Sequence, residues 1–585
     1  MCGIFGYIGK KNHAAEIVLD GLKKLEYRGY DSWGIAVKKG TTIKRERHVG
    51  KIGAAKTKLP VSNLGLGHTR WATHGGVTIG NAHPHVDCAN TLCLVHNGIV
   101  ENFRPLKEKL VKKHKFLSET DTEVALHLIE SKAQKQPVAR ALRVAFNQVT
   151  GMNAFIVLNA KKDELLAVKN GSPLVIGVGK GENFIASDLW ALLDHTNRVI
   201  FLEDGQLAQI SAGQVKLFDA ASGKALKPQV KRLDWQAQQS RLGRFHHFME
   251  KEIYDQPKIL DDLSRLSPGT IASVTRLIKK ADKTFLLGCG TASYAALFGE
   301  YLLNFSGYDA QAIVGSEFQK FARLLTPKQA FLMLSQSGET IDVVDAVNLA
   351  KKKKMRVVGI TNVLGSTLYR KSDLKILLGA GQEVAVASTK AFTAKLAILT
   401  QLAYQLNGNL DEAKKLIAQA ARATQGLLSG KVRADIKKLA TKIKDEDDIF
   451  AVGRLTSFPI ALETALKIKE VSYAHAEGYA GGELKHGPIA LIDQGTPCIV
   501  IAPKDQSLTD SLSAAHELKA RGGLIIGISP QNDPVFDVHF KVPDLKEASA
   551  IPAAVIAQLL AYDIAVARGL NPDKPRNLAK SVTVR

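Results

Sequence analysis

Two segments of this chain, FLLGCGTASYAALFGEYLL from Phe285 and FAVGRLTSFPIALETALKI from Phe450, read as one pattern written twice: apolar strand, glycine turn, serine, helix. This duplication constrains the fold more than any other feature, because each copy must nucleate its own layered α/β unit. The flanking sequence agrees. KTFLLG, AFLMLS, RVVGIT and LKILLG in the first copy are near-continuous apolar runs, as are DIFAVGR, PCIVIAP, GLIIGIS and VHFKV in the second. Such runs fit strands of a parallel sheet buried on both faces. Two doubly wound parallel α/β domains are predicted, over 271–412 and 440–575, followed by a polar, irregular tail at 576–585.

Upstream the rhythm differs. IFGYIG, WGIAVKK, TLCLVHNGIV, NAFIVLN, LLAVKNG, PLVIGVG, NFIASD and RVIFLEDGQLAQI are short β-rich runs broken by turns. Packed antiparallel sheets are expected over 2–220. A linker is expected over 221–270, with a polar amphipathic helix from Gln236 to Gln256 ending at Pro257.

At 585 residues the chain has room for three or more domains. No apolar run approaches the ~18 residues of a membrane helix, and MCGIFGYIGKK has no signal-peptide character, so a cytoplasmic protein without a membrane partner is expected. The 79 Lys and Arg against 56 Asp and Glu give a formal charge of +23, which raises nucleic acid as a partner. The basic residues are scattered, however, and the densest run, Lys351 to Lys354, falls at a surface helix end. No nucleic-acid partner is expected. The five cysteines lack CxxC spacing, which argues against a disulfide framework and against a zinc site. Four of them read as buried apolar thiols, and the exception is Cys2.

Removal of Met1 would leave Cys2 with a thiol and a free α-amine, whose pKa near 8 suits a general base. Arg70, in HTRWATHG, suits the α-carboxylate of an amino acid. Asn97 and Gly98, after TLCLVH, can form an oxyanion hole. Asp121, in SETDTE, can hold an ammonium group. Taken singly, Arg70 or Asp121 reads as an ion-pair or capping residue. Together, CGIFGYIG, LEYRGYDS, HTRWATHG, NAHPH, VHNGI and SETDTE resemble the class-II, N-terminal-nucleophile glutamine amidotransferases, which implies an αββα sandwich. The resemblance makes Cys2 the nucleophile, Arg70, Thr73 and Asp121 the glutamine-binding residues, Asn97 and Gly98 the oxyanion hole, and Trp71 an ammonia gate. His83 falls in the NAHPH block, where a structural role fits as well. Trp33 stands where a smaller residue is expected.

In the second half, Ser335-Gln336-Ser337-Gly338-Glu339-Thr340 lies between a strand and a helix. Small hydroxyls and glycine at a helix N-terminus make a phosphate cradle, although Ser-x-x-Glu also fits a capping box. SQSGET, VASTKAF, ALKIKE, GGELKHGP and RNLAKSVTV resemble the paired sugar-isomerase (SIS) domains of phosphosugar enzymes. The two halves together resemble the glutamine–fructose-6-phosphate aminotransferase family. This implies an enzyme that uses L-glutamine and fructose 6-phosphate, acts as a homodimer and needs no metal or organic cofactor. It also implies that Ser335, Gln336, Ser337 and Thr340 bind phosphate and that Val386 and Ser388 touch the sugar. By the same resemblance Glu470 would shuttle a proton, His486 would open the ring, Lys580 would form a Schiff base, and Glu463 would be a further sugar-site residue. Lys467, one helical turn before Glu470, is placed to keep it ionised. Ala292 stands where a phosphate-binding serine is expected, and Thr291 or Ser293 would compensate.

Three rivals are weighed. Amidotransferases with another acceptor need pyrophosphate- or ATP-binding motifs, and none is found. A phosphosugar-binding regulator predicts loss of Cys2, Glu470 or Lys580, and all three stand. A nucleic-acid binder rests on charge alone.

Overall fold

The structure, a computed structural model, describes residues 2–233 and 242–582. The chain divides into two compact units, one of residues 1–240 with 581–585 and one of residues 241–580.

Among the described residues the first unit holds an eight-stranded and a seven-stranded sheet, whose paired strands run antiparallel. Side-chain alternation explains their stacking. In the strand Leu92–Gly98, Cys93 and Val95 enter the core between the sheets, while Leu92 and Leu94 face the opposite way. Asn153–Asn159 repeats this, with Ala154, Ile156 and Leu158 inward and Phe155 and Val157 outward. With period two, each strand serves two hydrophobic layers. The outward layer packs on helices Asp121–Ala133 and Val138–Phe146 through Val124, Leu128 and Leu142. On the far side, helix Ala14–Leu25 covers Gly3–Gly9 and Leu64–Arg70. The result is the expected αββα sandwich. Trp33 finds its room by stacking on His48 of the neighbouring strand, with centroids 4.3 Å apart.

The second unit holds two five-stranded parallel sheets with one strand order, 2-1-3-4-5. The duplication read from the sequence is therefore a duplication of topology. Strands Thr284–Gly288 and Asp448–Gly453 occupy the same place, each followed by its helix, Thr291–Phe305 or Phe458–Ser472. Glycine closes both turns for one reason. A Cβ on Gly288 would lie 2.5 Å from the backbone of Ala292, and one on Gly453 would lie 2.3 Å from the Ser457 carbonyl. Strands Ala310–Val314 and His475–Ala480 were not anticipated. Both are half-exposed edge strands without a continuous apolar run.

One hydrophobic core runs through both repeats and takes in Ile253, Leu286, Phe392, Ile468 and Ile556. Two expectations need correction here. Residues 236–241 of the anticipated linker helix lie outside the described residues. The helix that follows begins at Phe248, and Pro257 lies inside it, since it runs to Ser264. A proline there leaves the carbonyl four residues back without its helical donor, and the Gln256 side chain donates to that Ile253 carbonyl at 3.2 Å. The second correction concerns Lys546–Ala567, which is long and apolar enough to cross a bilayer, although no run of that length was read from the sequence. Its apolar stretch is mostly buried within the protein. A helix apolar on all sides belongs in a core as readily as in lipid. Of the cysteines, Cys93 and Cys498 are buried, Cys289 is half-buried and Cys88 is exposed, so the reading of four buried thiols holds for two.

Candidate active sites

Three strand ends build the first site. Gly3–Gly9 starts directly after Cys2 and pairs with Leu64–Arg70, so that Gly3 faces Thr69. Leu92–Gly98 delivers Asn97 and Gly98 from the other sheet. The Trp71 N–H donates to the Cys2 Sγ at 3.2 Å. Burial pushes the thiol pKa up, opposed by nearby positive charge, including Arg70 and Arg28, and by that N–H. Asn97 Nδ2 donates to the Cys2 carbonyl at 3.0 Å, and Arg28 Nε reaches the same oxygen at 3.2 Å. His68 fixes the Asn97 amide, with Nε2 3.2 Å from Oδ1. Burial lowers the His68 pKa to about 3, so the ring is neutral. Gly98 adopts φ 125°, open to glycine and strained for other residues.

Arg70 is buried, and its guanidinium donates to the Gly75 and Gly76 carbonyls, each at 3.0 Å. It thus shapes the loop that follows its own strand. Thr73 is exposed on that loop, and Trp71 is half-buried, edge-on to Tyr30 at 5.4 Å. Asp121 begins its helix and accepts the Val100 N–H at 2.7 Å. His83 is buried, with Nδ1 3.3 Å from His68 Nε2, and burial holds its pKa well below the usual value. It supports His68, which fits the structural alternative read for it.

The second site is a cavity of about 160 Å³ in the 241–580 unit. Its walls include the loops that follow the first and third strands in chain order, Thr284–Gly288 and Ala330–Ser335, which are neighbours in the sheet. That is the switch point of a doubly wound sheet, where chain reversal opens a crevice. Helices Thr291–Phe305 and Ile341–Lys352 both start there, so two positive dipole ends meet at one place. Ser335, Gln336, Ser337 and Thr340 all line it. The Ser335 Oγ accepts the Gly338 N–H at 3.0 Å and lies 3.2 Å from the Thr340 Oγ1. The capping-box alternative fails, since Glu339 follows Ser335 by four residues and Ser337 by two, not three. Thr340 is the N-cap, without a side-chain cap bond, and Glu339 accepts the Thr367 N–H at 2.8 Å instead.

Thr291, Val386, Ser388, Glu470 and Lys580 line the same cavity. Ala292 lines it too, whereas Ser293 does not, and the Ser293 hydroxyl donates to the Gly290 carbonyl at 2.7 Å. Glu463 and Lys467 lie behind the wall rather than in it. Lys467 is fully buried and bonds to Thr291 Oγ1 at 3.1 Å and Glu470 Oε2 at 2.5 Å, with Glu463 at 3.5 Å. Burial alone would lower the Lys467 pKa, but Glu463 and Glu470 hold it above the usual value. Burial raises that of Glu463 to about 7. His486 is exposed on a short helix, Glu483–His486, and is not among the residues lining the cavity.

Comparison with known proteins matches both architectures. A glutamine amidotransferase domain model matches residues 1–233, and a SIS domain model matches 277–404 and 442–568. The chain is 42% identical over 602 residues to the isomerizing glutamine–fructose-6-phosphate aminotransferase of Thermococcus kodakarensis, covering all of both chains. It is 42% identical over 609 residues to that of Thermus thermophilus, again at full coverage. The chain belongs to the glutamine–fructose-6-phosphate aminotransferase family. Among solved structures it resembles the C-terminal domain of glucosamine-fructose-6-phosphate aminotransferase from Francisella tularensis. That match has a TM-score of 0.53 and 30% identity, over 57% of this chain and all of the other.

In this aminotransferase-family chain, sequence reasoning missed several residues that shape the sites. Arg28 and His68 lie inside blocks quoted for the resemblance, yet their bonds to Cys2 and Asn97 show only in the fold. Glu383 accepts from Lys580 at 2.7 Å and from the Ser388 hydroxyl at 3.1 Å. Lys395 lines the cavity on a helix where 15 of 17 residues are buried, so its position read as core. Burial lowers its pKa to about 8, against the pull of Glu383 and Glu463.

Proposed function

We propose that this chain moves the amide nitrogen of L-glutamine onto D-fructose 6-phosphate, giving D-glucosamine 6-phosphate and L-glutamate. The observation that carries the reading is the switch-point cavity, which joins a hydroxyl-rich double helix terminus to Glu470 and Lys580. An anion sits on the first, and carbonyl chemistry belongs to the second.

In this reading Cys2, with its own α-amine as base, attacks the glutamine carboxamide and releases ammonia. Water then cleaves the thioester to glutamate. Asn97 and Gly98 stabilise the oxyanion, while Arg70, Thr73 and Asp121 hold glutamine. Trp71 gates the ammonia. In the cavity, Ser335, Gln336, Ser337 and Thr340 bind the phosphate, with Thr291 at the opposite helix start and the Lys395 ammonium offsetting its charge. Val386 and Ser388 contact the sugar. The Lys580 amine condenses with the C2 carbonyl and loses water, and ammonia then displaces the lysine. Glu470, oriented by Lys467, carries the C1 proton to C2 and so generates the aldose. Glu463 backs Lys467. His486 opens the ring, and because it lies outside the cavity of its own chain, we assign it to the site of a partner subunit in a homodimer.

Incubation with both substrates and identification of the sugar tests the reading. Glucosamine 6-phosphate is expected, and glutamine hydrolysis without it rejects the acceptor. Cys2→Ala should abolish glutamine-dependent synthesis, and retained synthesis removes Cys2 from its role.

A further inference from the structure

Away from both sites, four side chains of the first unit converge: Cys88, His114, His127 and Glu130. Their donor atoms all lie within 4.8 Å of one another. Cys88 Sγ is 3.7 Å from His114 Nδ1 and 3.9 Å from His127 Nδ1. Both imidazoles turn Nδ1 to the same carboxylate oxygen, Glu130 Oε2, at 2.9 and 2.8 Å. Spacing hides the group, because its donors come from three segments: the turn after strand His85–Val86, the stretch after helix Phe103–Leu110, and helix Asp121–Ala133.

We propose that these four residues form a structural site for a divalent transition metal, with Zn²⁺ as the natural occupant. One thiolate, two imidazoles and one carboxylate are the donors zinc takes in a closed tetrahedral site. Bonds of about 2.3 Å to sulfur and about 2.0 Å to nitrogen separate tetrahedral S and N donors by roughly 3.6 Å, close to both sulfur–nitrogen distances here. The nitrogen–oxygen distances are shorter than a shared metal would set and are hydrogen bonds. Both Nε2 atoms are buried and make no hydrogen bond among the described residues. Metal at Nδ1 takes the place of the proton there and leaves the proton on Nε2, which on His127 faces Glu123 Oε1, 3.8 Å away. A carboxylate behind a ligating histidine is the usual outer support of a zinc site. Thiolate and carboxylate together cancel the charge of the dication. Glu130 is pre-set by the Cys88 N–H, which donates to its Oε1 at 3.1 Å. Cys88 is exposed and gives the ion a way in.

The ion would clamp three segments around the helix that begins at Asp121. The test uses tag-free full-length protein, stripped with a chelator and titrated with Zn²⁺ and with Co²⁺, beside Cys88→Ala, His127→Ala and Cys2→Ala. One equivalent per chain is expected, with a thiolate-to-cobalt charge-transfer band and a Tm raised by zinc. Cys2→Ala should keep the band. Cys88→Ala should lose it and bind zinc at least about tenfold more weakly while remaining folded. Substoichiometric uptake by the stripped protein overturns the site. So does an unchanged cobalt spectrum in Cys88→Ala, or loss of the band in Cys2→Ala.

Discussion

Lys580 Nζ lies 2.7 Å from Glu383 Oε2, although 197 residues separate the two in sequence. The other Glu383 oxygen accepts the N–H groups of Thr389, at 2.9 Å, and Ala391, at 3.2 Å. Burial would raise the Glu383 pKa, yet Lys580 holds it below the usual carboxylate range. The carboxylate therefore fixes where the amine sits, and Glu383 itself is not among the residues lining the cavity.

Glu383→Gln should leave glutamine hydrolysis intact and lower kcat for glucosamine 6-phosphate on the order of 10²-fold, the cost of about 1 Å of misplacement. Trapping of a fructose 6-phosphate adduct at Lys580 by borohydride, read by mass, should fall in parallel. Full trapping in the variant would remove Glu383 from the positioning of Lys580.

Lys395 makes a prediction about pH. Its folded pKa, about 8, lies below the ~10.4 of an unfolded lysine. The unfolded chain thus binds the extra proton between those values. The resulting penalty on folding is full below pH 8 and fades toward pH ~10.4. Lys395→Met should stabilise the protein by about 1–3 kcal/mol at pH 7, and urea unfolding should show the gain shrinking by pH 10. The same variant should raise KM for fructose 6-phosphate.

Gly338 holds φ at 67°, and a Cβ there would lie 2.1 Å from the Ser366 Oγ. Gly338→Ala should cost about 1–3 kcal/mol and raise KM for fructose 6-phosphate at least about tenfold, leaving KM for glutamine unchanged. Thermal unfolding and separate half-reaction assays measure the two effects.

His486 is exposed, so His486→Ala should shift stability by less than about 0.5 kcal/mol while suppressing synthesis. Mixing it with an inactive Lys580→Ala chain under conditions of subunit exchange should restore about a quarter of wild-type activity, as random pairing leaves half the dimers with one complete site. Absence of complementation would return His486 to its own chain.

Much of this architecture is legible in the sequence, because hydrophobic rhythm is local. Short β-rich runs broken by turns marked the antiparallel sheets, and unbroken runs such as AFLMLS marked the parallel strands. The edge strands Ala310–Val314 and His475–Ala480 escaped because one flank of each meets solvent. Position and local blocks pointed to Cys2, Asn97 and Glu470. Glu383, Lys395 and the cluster around Glu130 did not show, since their meaning lies in partners brought together from distant segments. Glu463 was read as a further sugar-site residue and lies behind the cavity wall, because a carboxylate's distance from a cavity has no sequence signature.

The helix Phe458–Ser472 belongs to the second repeat, yet its Glu470 lines the cavity opened by the first. On the proposed function, two copies of one fold have thus become unequal partners, one keeping the anion cradle and the other contributing the acid–base group. Neither copy alone is a smaller enzyme. Equivalent positions also no longer answer to the same demands. With the roles proposed, a change at Ser335 should alter what is bound and a change along Phe458–Ser472 what is done to it, which leaves affinity and chemistry to be tuned in separate stretches of the chain.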